Sequence, residues 1–124
     1  MVIPSEYEGK PVTEIEGWAF EDCTVFISVT IPVSITSIGS YSFKKCTSLT
    51  GIIIPDGVTS IGSYAFTGSS LTSIYYAGTE AEWNTIEIVK DEVFLGFATK
   101  YFYSKTAPMG NGNFWHYVNG VAIP

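Results

Sequence analysis

Arginine is absent from this chain, and six lysines stand against twelve acidic residues, which gives a formal net charge of −6. Nucleic-acid binding depends on clustered Lys and Arg side chains that displace counterions from phosphates. The composition therefore excludes a nucleic-acid-binding surface, and it disfavours anionic membranes for the same reason. Between Ile31 and Thr79 the only charged residues are Lys44, Lys45 and Asp56, so most of the surface formed by this region is expected to be uncharged.

Residues able to carry out chemistry are also scarce. The single histidine, His116, lies between Trp115 and Tyr117. We interpret it as part of an aromatic cluster, because a catalytic base needs a nucleophile and an orienting group nearby. Acidic residues are densest between positions 14 and 22, where a solvated face is a simpler interpretation than a cation site. Walker-type and dinucleotide-binding glycine patterns are absent. We therefore predict no enzyme activity, no bound metal and no cofactor.

The start of the chain has no charged-then-apolar leader, and no apolar run is long enough to span a bilayer. Membrane insertion is therefore not expected. The first residues, MVIPSEYEGKPVTEI, are already close to a repeat unit. We therefore expect a fragment or a processed product of a longer protein, whose export signal would lie outside this chain.

A phrase of 23 residues recurs along the chain. IPVSITSIGSYSFKKCTSLTGI begins at Ile31 and IPDGVTSIGSYAFTGSSLTSI begins at Ile54, and the same spacing extends back to residues 12–23. A fixed period of this length is typical of solenoids, in which each coil buries its apolar face against its neighbours. Solenoids mostly present surfaces, so the pattern predicts a binding protein.

Each repeat contains one run of β-branched residues that predicts a strand, at positions 26–31, 49–54 and 71–76. Strand alternation then divides the residues between two faces. The inward set is Val29, Ile31, Ile52, Ile54, Ile74 and Tyr76. The outward set, which we predict to be the partner-binding face, is Ser28, Thr30, Gly51, Ile53, Ser73 and Tyr75.

The segments between the strands are predicted to turn the chain. Pro32 and Pro55 follow the strands and cannot donate to a ladder, so they end the pairing. The segments SYSF (40–43) and SYAF (63–66) predict single helical turns on the convex side. Gly39 and Gly62 precede them, and we expect these glycines to adopt a backbone angle that a Cβ would forbid.

Two cysteines, Cys23 and Cys46, occupy equivalent positions one repeat apart. Stacked coils would place them about a strand spacing apart, roughly 4.8 Å. That separation suits the Cα atoms of a disulfide, but parallel Cβ atoms would lie wider than the roughly 3.8 Å that a disulfide prefers. Buried free thiols are the alternative, since cysteine packs as a small apolar residue.

The repeat is lost after Tyr76, and residues 77–124 are predicted to form a C-terminal cap. Thr79 and Glu82 fit a capping box that starts a short helix running to about Ile86. Residues 99–104 predict a closing strand, 108–113 a loop, and 119–120 a turn. The aromatic residues of the cap allow two interpretations: a platform for sugar rings, or the core of a small cap. They are Trp83, Tyr101, Tyr103 and Trp115.

The pattern IP-x-x-V/I-T-S-I-G-S-Y-A/S-F, followed by C-T-S-L-T, resembles the BspA-type leucine-rich repeats of bacterial surface proteins. It spans residues 31–50 and 54–72, with a looser copy at 12–24. The tail segments YYAGTEAEW (75–83) and GNFWHY (112–117) resemble segments that close such arrays. The resemblance implies a right-handed leucine-rich-repeat solenoid of the mostly β type, with about three repeats in residues 1–76 of a single domain covering 1–124.

The resemblance further implies export to the cell surface and a role in adhesion or in recognising host or neighbouring-cell proteins. It carries no shared catalytic motif. The leading hypothesis is therefore a non-catalytic binding module that contacts a protein partner through the outward strand positions. The alternatives are glycan binding through the cap aromatics, and a structural spacer that ends a longer array. For the spacer, the open N-terminal edge would be prone to pair with another copy.

Overall fold

The computed structural model describes residues 2–88 and 98–103 in full, and the backbone of residues 114–118 and 121–123. The elements in these ranges, in chain order, are β1 (Glu6–Tyr7), β2 (Lys10–Pro11), β3 (Glu14–Ile15), β4 (Ser28–Thr30), β5 (Ser37–Ile38), β6 (Gly51–Ile54), β7 (Ser60–Ile61), β8 (Ser73–Tyr76), α1 (Glu80–Trp83), β9 (Glu87–Ile88), β10 (Thr99–Tyr103), β11 (Phe114–Val118) and β12 (Val121–Ile123).

The larger sheet has the order β12-β11-β10-β8-β6-β4. Its first five strands in chain order, β4, β6, β8, β10 and β11, are parallel, and β12 returns antiparallel to β11. The predicted inward set is confirmed, because Val29, Ile31, Ile52, Ile54, Ile74 and Tyr76 are all buried. The sheet runs on past residue 76, although the division of the chain into repeats and cap at that residue stays a prediction.

The smaller sheet, β3-β5-β7-β9, takes a short parallel strand from each coil. Its inward residues Ile15, Ile38 and Ile61 are buried in one cluster with the inward residues of the larger sheet. One continuous core therefore lies between the two sheets, as the repeat pattern predicts. A phenylalanine ladder closes the turn side of this core, with Phe43 and Phe66 stacked at 5.3 Å between ring centroids.

The turn side of the coils is not helical, so that prediction was wrong. Tyr41 and Tyr64 have φ angles of 59° and 55°, which a right-handed helix does not allow. The backbone N–H groups of Tyr41 and Phe43 donate to the carbonyls of Ser63 and Ala65 in the next coil, at 3.0 and 2.8 Å. Bonds to the next coil thus alternate with single turns inside the segment, such as the bond from the N–H of Lys44 to the carbonyl of Tyr41 at 3.2 Å.

Gly39 and Gly62 are needed for a different reason from the one predicted. Neither has a positive φ. A Cβ on Gly39 would lie 2.6 Å from the carbonyl oxygen of Ile15, and one on Gly62 would lie 2.5 Å from the backbone nitrogen of Ser40. Real Cβ atoms essentially never approach that closely, so glycine is required here because adjacent coils touch through their backbones.

The capping box before α1 is confirmed. The N–H of Glu82 donates to Thr79 Oγ1, and the N–H of Thr79 donates to Glu82 Oε1, both at 3.1 Å. The helix ends at Trp83, earlier than the predicted Ile86. The reason is the smaller sheet: the N–H of Glu87 donates to the carbonyl of Thr59 at 2.9 Å, so the chain must leave the helix to form β9.

The thiols of Cys23 and Cys46 are both free. Cys46 is fully buried, and its Sγ donates to the carbonyl of Phe20 at 3.1 Å. Burial raises the pKa of the Cys46 thiol to about 11. Cys23 is only half-buried. The free-thiol interpretation is therefore the one the structure supports, with one of the two thiols partly open to solvent.

The N-terminal residues form an exposed hairpin, β1–β2. Val2 then forms a single parallel bridge with Thr30 on the edge of β4. At the other end of the chain, β10 forms as predicted, but it pairs on both sides and does not close the sheet. The predicted loop at 108–113 and the predicted turn at 119–120 lie outside the described residues.

Candidate functional site

The outer face of the larger sheet carries two rows of side chains that cross the strands. Strand register aligns Ser28, Gly51, Ser73 and Thr99 in one row, and Thr30, Ile53, Tyr75 and Tyr101 in the other. All six residues of the predicted partner-binding face therefore lie on one surface. Ser28 is exposed and the other five are half-buried. Parallel pairing without any register slip brings them together.

A tyrosine pair forms the centre of this face. The rings of Tyr75 and Tyr101 stack at 5.3 Å with an angle of 15° between their planes. A Cβ on Gly51 would lie 3.6 Å from Cε2 of Tyr75, so the Tyr75 ring extends over the neighbouring strand where glycine leaves room. Tyrosine supplies a large aromatic contact area at a low cost in conformational entropy, because its side chain has only two χ angles.

The face is uncharged because the one lysine of β10 points the other way. Lys100 takes the inward register position beside Ile74. Its Nζ donates to the carbonyl of Ala98 at 3.4 Å, and burial lowers the pKa of the ammonium group. The two outer rows therefore contain only hydroxyl, aliphatic and aromatic side chains. Such a surface suits an apolar or neutral partner surface better than an ion.

An apolar groove lies at the carboxyl ends of these strands, and sequence reasoning missed it. Its volume is about 330 Å³, and its lining residues are Thr30, Ile31, Pro32, Val33, Ile53, Pro55, Ala77 and Tyr103. Val33 projects at its rim with 83% of its surface exposed. The signal available in the sequence was Val33 itself, an apolar residue at the turn position where the next repeat has Asp56 followed by Gly57.

The smaller sheet bears a second, polar concavity of about 600 Å³. Strand register places Glu14, Ser37, Ser60 and Glu87 in one row across it. Within residues 2–88 and the other described segments, no group of three His, Cys, Asp or Glu side chains could hold a metal ion. Over those same ranges, no helix has the length and apolar character needed to cross a bilayer.

The structure separates Trp83 from the other three residues of the predicted glycan platform. Trp83 is only 5% exposed and packs edge-on against Tyr76, with 5.2 Å between the ring centroids. It therefore belongs to the core, because α1 turns it inward. Tyr101 and Tyr103 lie in β10, with Tyr101 half-buried and Tyr103 exposed. Trp115 pairs in register with Tyr103, and its side chain lies outside the described residues.

The model of the BspA type leucine rich repeat region matches residues 6–104 in six copies. The chain belongs to the BspA-type leucine-rich repeat family. The match continues past residue 76, so the family repeat extends beyond the segment in which the 23-residue phrase is evident.

The crystal structure of the leucine-rich repeat protein of T. pallidum is similar to this chain, with a TM-score of 0.63 and 25% sequence identity. The similarity covers 83% of this chain and 57% of the T. pallidum chain, so the BspA-type domain spans little more than half of that protein. No curated protein matches the chain. Leucine-rich repeat domains are typically protein-binding modules and are generally non-catalytic, and the described surface fits that class.

Proposed function

We propose that this BspA-type domain is a non-catalytic adhesion module of a secreted or cell-surface bacterial protein. In this proposal, it binds a protein partner through the strand face made by Ser28, Thr30, Gly51, Ile53, Ser73 and Tyr75. The supporting observation is the uncharged outer row that ends in the stacked pair of Tyr75 and Tyr101. Interfaces draw most of their affinity from a few such aromatic and aliphatic anchors surrounded by neutral contacts.

The test is a binding comparison on an array of extracellular and cell-surface proteins. The double substitution Ile53→Ser and Tyr75→Ser should weaken binding to any protein that the wild-type domain captures on this array. The expected loss is about tenfold or more, as for the removal of interface anchors. Val25→Ser is the matched control, because Val25 is exposed but lies before β4 and off the strand face. Thermal denaturation checks that both variants fold. Binding that is unaffected by the double substitution would contradict the proposal.

Glycan binding is the second candidate function, with a platform smaller than the one predicted from the sequence. Tyr101 and Tyr103 are the two members of the predicted platform that lie on one strand with accessible surface. Tyrosine rings can stack on the apolar faces of sugars and bond through their hydroxyls. A glycan array probed with Tyr101→Ala and Tyr103→Ala variants tests it. Signals that appear on sugars and vanish in these variants would favour the glycan over the protein partner.

The spacer candidate depends on the N-terminal end of the solenoid. Apolar side chains are exposed there, with Val25, Ile27 and Trp18 each more than half exposed. An uncovered apolar end can associate with a second copy of the chain. If the domain is a spacer, it should form concentration-dependent dimers in sedimentation experiments. It should bind nothing on the protein array or on the glycan array. A monomer at every concentration would count against self-association.

A further inference from the structure

The Cys46 thiol points toward the preceding coil. Its Sγ donates to the carbonyl of Phe20, in that coil, at 3.1 Å. Ser69 holds the equivalent position one coil later, but its Oγ donates to the carbonyl of Phe66, within its own coil, at 2.7 Å. The Cys46 sulfur therefore lies at the boundary between two coils, whereas the Ser69 hydroxyl stays inside one.

Cys23 lies on the other side of this boundary. Its backbone N–H donates to the same Phe20 carbonyl at 3.2 Å, and the N–H of Asp22 donates to the carbonyl of Lys44 at 2.8 Å. Burial raises the pKa of the Cys46 thiol, and a backbone hydrogen bond from Cys23 to this thiol acts in the opposite direction. These contacts place the Cys46 sulfur directly against Cys23.

The spacing of the coils suits a bond between the two sulfur atoms. Adjacent parallel strands lie about 4.8 Å apart, which is within the range of roughly 4.4–6.8 Å for the Cα atoms of a disulfide. Cβ atoms that point the same way lie wider than the preferred value of about 3.8 Å, so the bond would carry strain. Strained disulfides are reduced more readily than relaxed ones. The geometry therefore suits a reversible bond.

The two thiols differ in their access to solvent. Cys46 is fully buried, whereas Cys23 is half-buried, so a small oxidant reaches Cys23 first. Asp22 is exposed beside Cys23 and attracts an oxidant with positively charged ends. Removing the Cys46 proton orphans no acceptor, because the Phe20 carbonyl keeps its hydrogen bond from the N–H of Cys23. The site can therefore pass from two thiols to a disulfide without a loss of buried hydrogen bonding elsewhere.

We propose that Cys23 and Cys46 form a reversible disulfide between adjacent coils when the domain encounters a small-molecule disulfide. The Cys23 thiolate attacks one sulfur of that oxidant and releases one half of it as a thiolate, which leaves Cys23 in a mixed disulfide. Cys46 then gives its proton to solvent, and its sulfur attacks the Cys23 sulfur and releases the second half as a thiolate. In total, two protein thiols lose two electrons and two protons, and the oxidant becomes two thiols.

The bond would hold the first strand of the larger sheet to the rest of the solenoid. Cys23 precedes β4, which pairs in register with β6 of the next coil. A cross-link between the two coils removes conformational freedom from the unfolded chain, although strain in the bond reduces the gain. We expect the oxidised domain to unfold about 5 °C above the reduced domain. The disulfide does not depend on the identity of any partner.

The test treats the reduced, folded full chain with cystamine and measures the intact mass. The wild type should become a monomer lighter by two hydrogen atoms, and an excess of cysteamine should restore the original mass. Cys46→Ser should stop at the mixed disulfide and carry one cysteamine on Cys23. Cys23→Ser should stay unmodified, because Cys46 is buried. Both variants should fold, since Ser69 already occupies the equivalent position in the following coil, and thermal denaturation checks this.

Several outcomes would overturn the inference. A wild type that keeps one cysteamine would show that the Cys46 sulfur does not reach Cys23. Covalent dimers would assign Cys23 to a bond with a second copy of the chain, and an unchanged mass would show that the oxidant does not reach Cys23. An internal bond that lowers the thermal midpoint would mean that the bond forms only after the coils separate.

Discussion

Coil two (residues 31–53) and coil three (residues 54–75) follow the same path with different side chains at a few positions. The first inward position of the strand is isoleucine in both coils, Ile52 and Ile74. The differences lie in the turns, where Ser42, Lys45 and Cys46 of coil two stand opposite Ala65, Gly68 and Ser69 of coil three. Inter-coil bonds confirm this alignment, since the N–H of Lys45 donates to the carbonyl of Thr67 at 2.7 Å.

The comparison shows that the stacking of the coils determines the backbone angles. Different side chains then fit those angles at different energetic cost. A left-handed angle occurs at position 45 with lysine, φ 58°, and at position 68 with glycine, φ 75°. The coil spacing imposes that angle whichever residue is present. Lysine at this position is therefore strained, whereas glycine is relaxed. The two coils thus provide reciprocal substitutions that test how strongly stacking dominates local preference.

The largest expected effect comes from a position at which the coils do not differ. Gly62→Ala should lower the free energy of unfolding by about 3 kcal/mol, because its Cβ would meet the backbone of coil two and neither backbone can shift alone. Chemical denaturation measures the change. Gly51→Ala is the matched control: its Cβ would meet nothing closer than Tyr75 Cε2 at 3.6 Å, so a loss as large as that of Gly62→Ala would contradict the close-approach explanation.

The next effect concerns the left-handed position. Gly68→Lys copies the residue of coil two and should cost about 1–2 kcal/mol, since a residue with a Cβ pays that amount for a left-handed angle. Lys45 Cγ would also lie 3.2 Å from the new Cβ, but this flexible side chain can move aside. Denaturation midpoints provide the measurement.

The reciprocal change sharpens the same comparison. Lys45→Gly should raise the free energy of unfolding by less than Gly68→Lys lowers it, because glycine relieves the strain and also gains entropy in the unfolded chain. A gain of about 0.5–1 kcal/mol is expected. A loss of stability in Lys45→Gly would show that the Lys45 side chain contributes contacts that outweigh the strain.

Ser42 offers a smaller gain. Its hydroxyl is buried and makes no hydrogen bond with any described residue, whereas the equivalent positions hold Ala19 and Ala65. Ser42→Ala should therefore stabilise the domain by about 1 kcal/mol, as an unpaired hydroxyl is removed from an apolar site. The midpoint of thermal unfolding reports the change. Ser40→Ala, two residues away and only half-buried, is the control and should have little effect.

The inward and outward residues of the strands could be predicted from sequence because they follow local rules. Alternation along Gly51–Ile54 and a constant period predict that Ile53 and Tyr75 lie side by side, and the strand register pairs them. The capping box at Thr79 is local in the same sense. Features of this kind depend on residues within one coil, or on exact repetition from one coil to the next.

The groove could not be predicted, because its walls are distant in sequence and one of them is not a copy of the repeat. Val33 lies in a turn of coil two, and Tyr103 lies at the end of β10, which pairs with β8 through long-range contacts. The role of Gly39 was misassigned for a related reason. Glycine serves both positive φ angles and close backbone approach, and only the distance between coils distinguishes them.

The smallest expected effect concerns Cys46, whose counterpart in coil three is Ser69. Burial raises the pKa of the Cys46 thiol from 9.0 to about 11. The folded state therefore holds this proton more tightly than the unfolded state does. Its contribution to stability is fully present below about pH 9 and is lost as the pH rises through about 11. Cys46→Ser removes the titrating group.

We expect the difference in unfolding free energy between wild type and Cys46→Ser to stay constant from neutral pH to about 9 and then to shift against the wild type, the direction set by the raised thiol pKa. Subtracting the variant cancels the other groups that titrate in this range, including Tyr76, whose pKa is also raised by burial. Cys23→Ser is the matched control, since Cys23 is only half-buried. A pH-independent difference would mean that solvent reaches the Cys46 thiol, and that the coils pack less tightly at this position than at the phenylalanine ladder beside it.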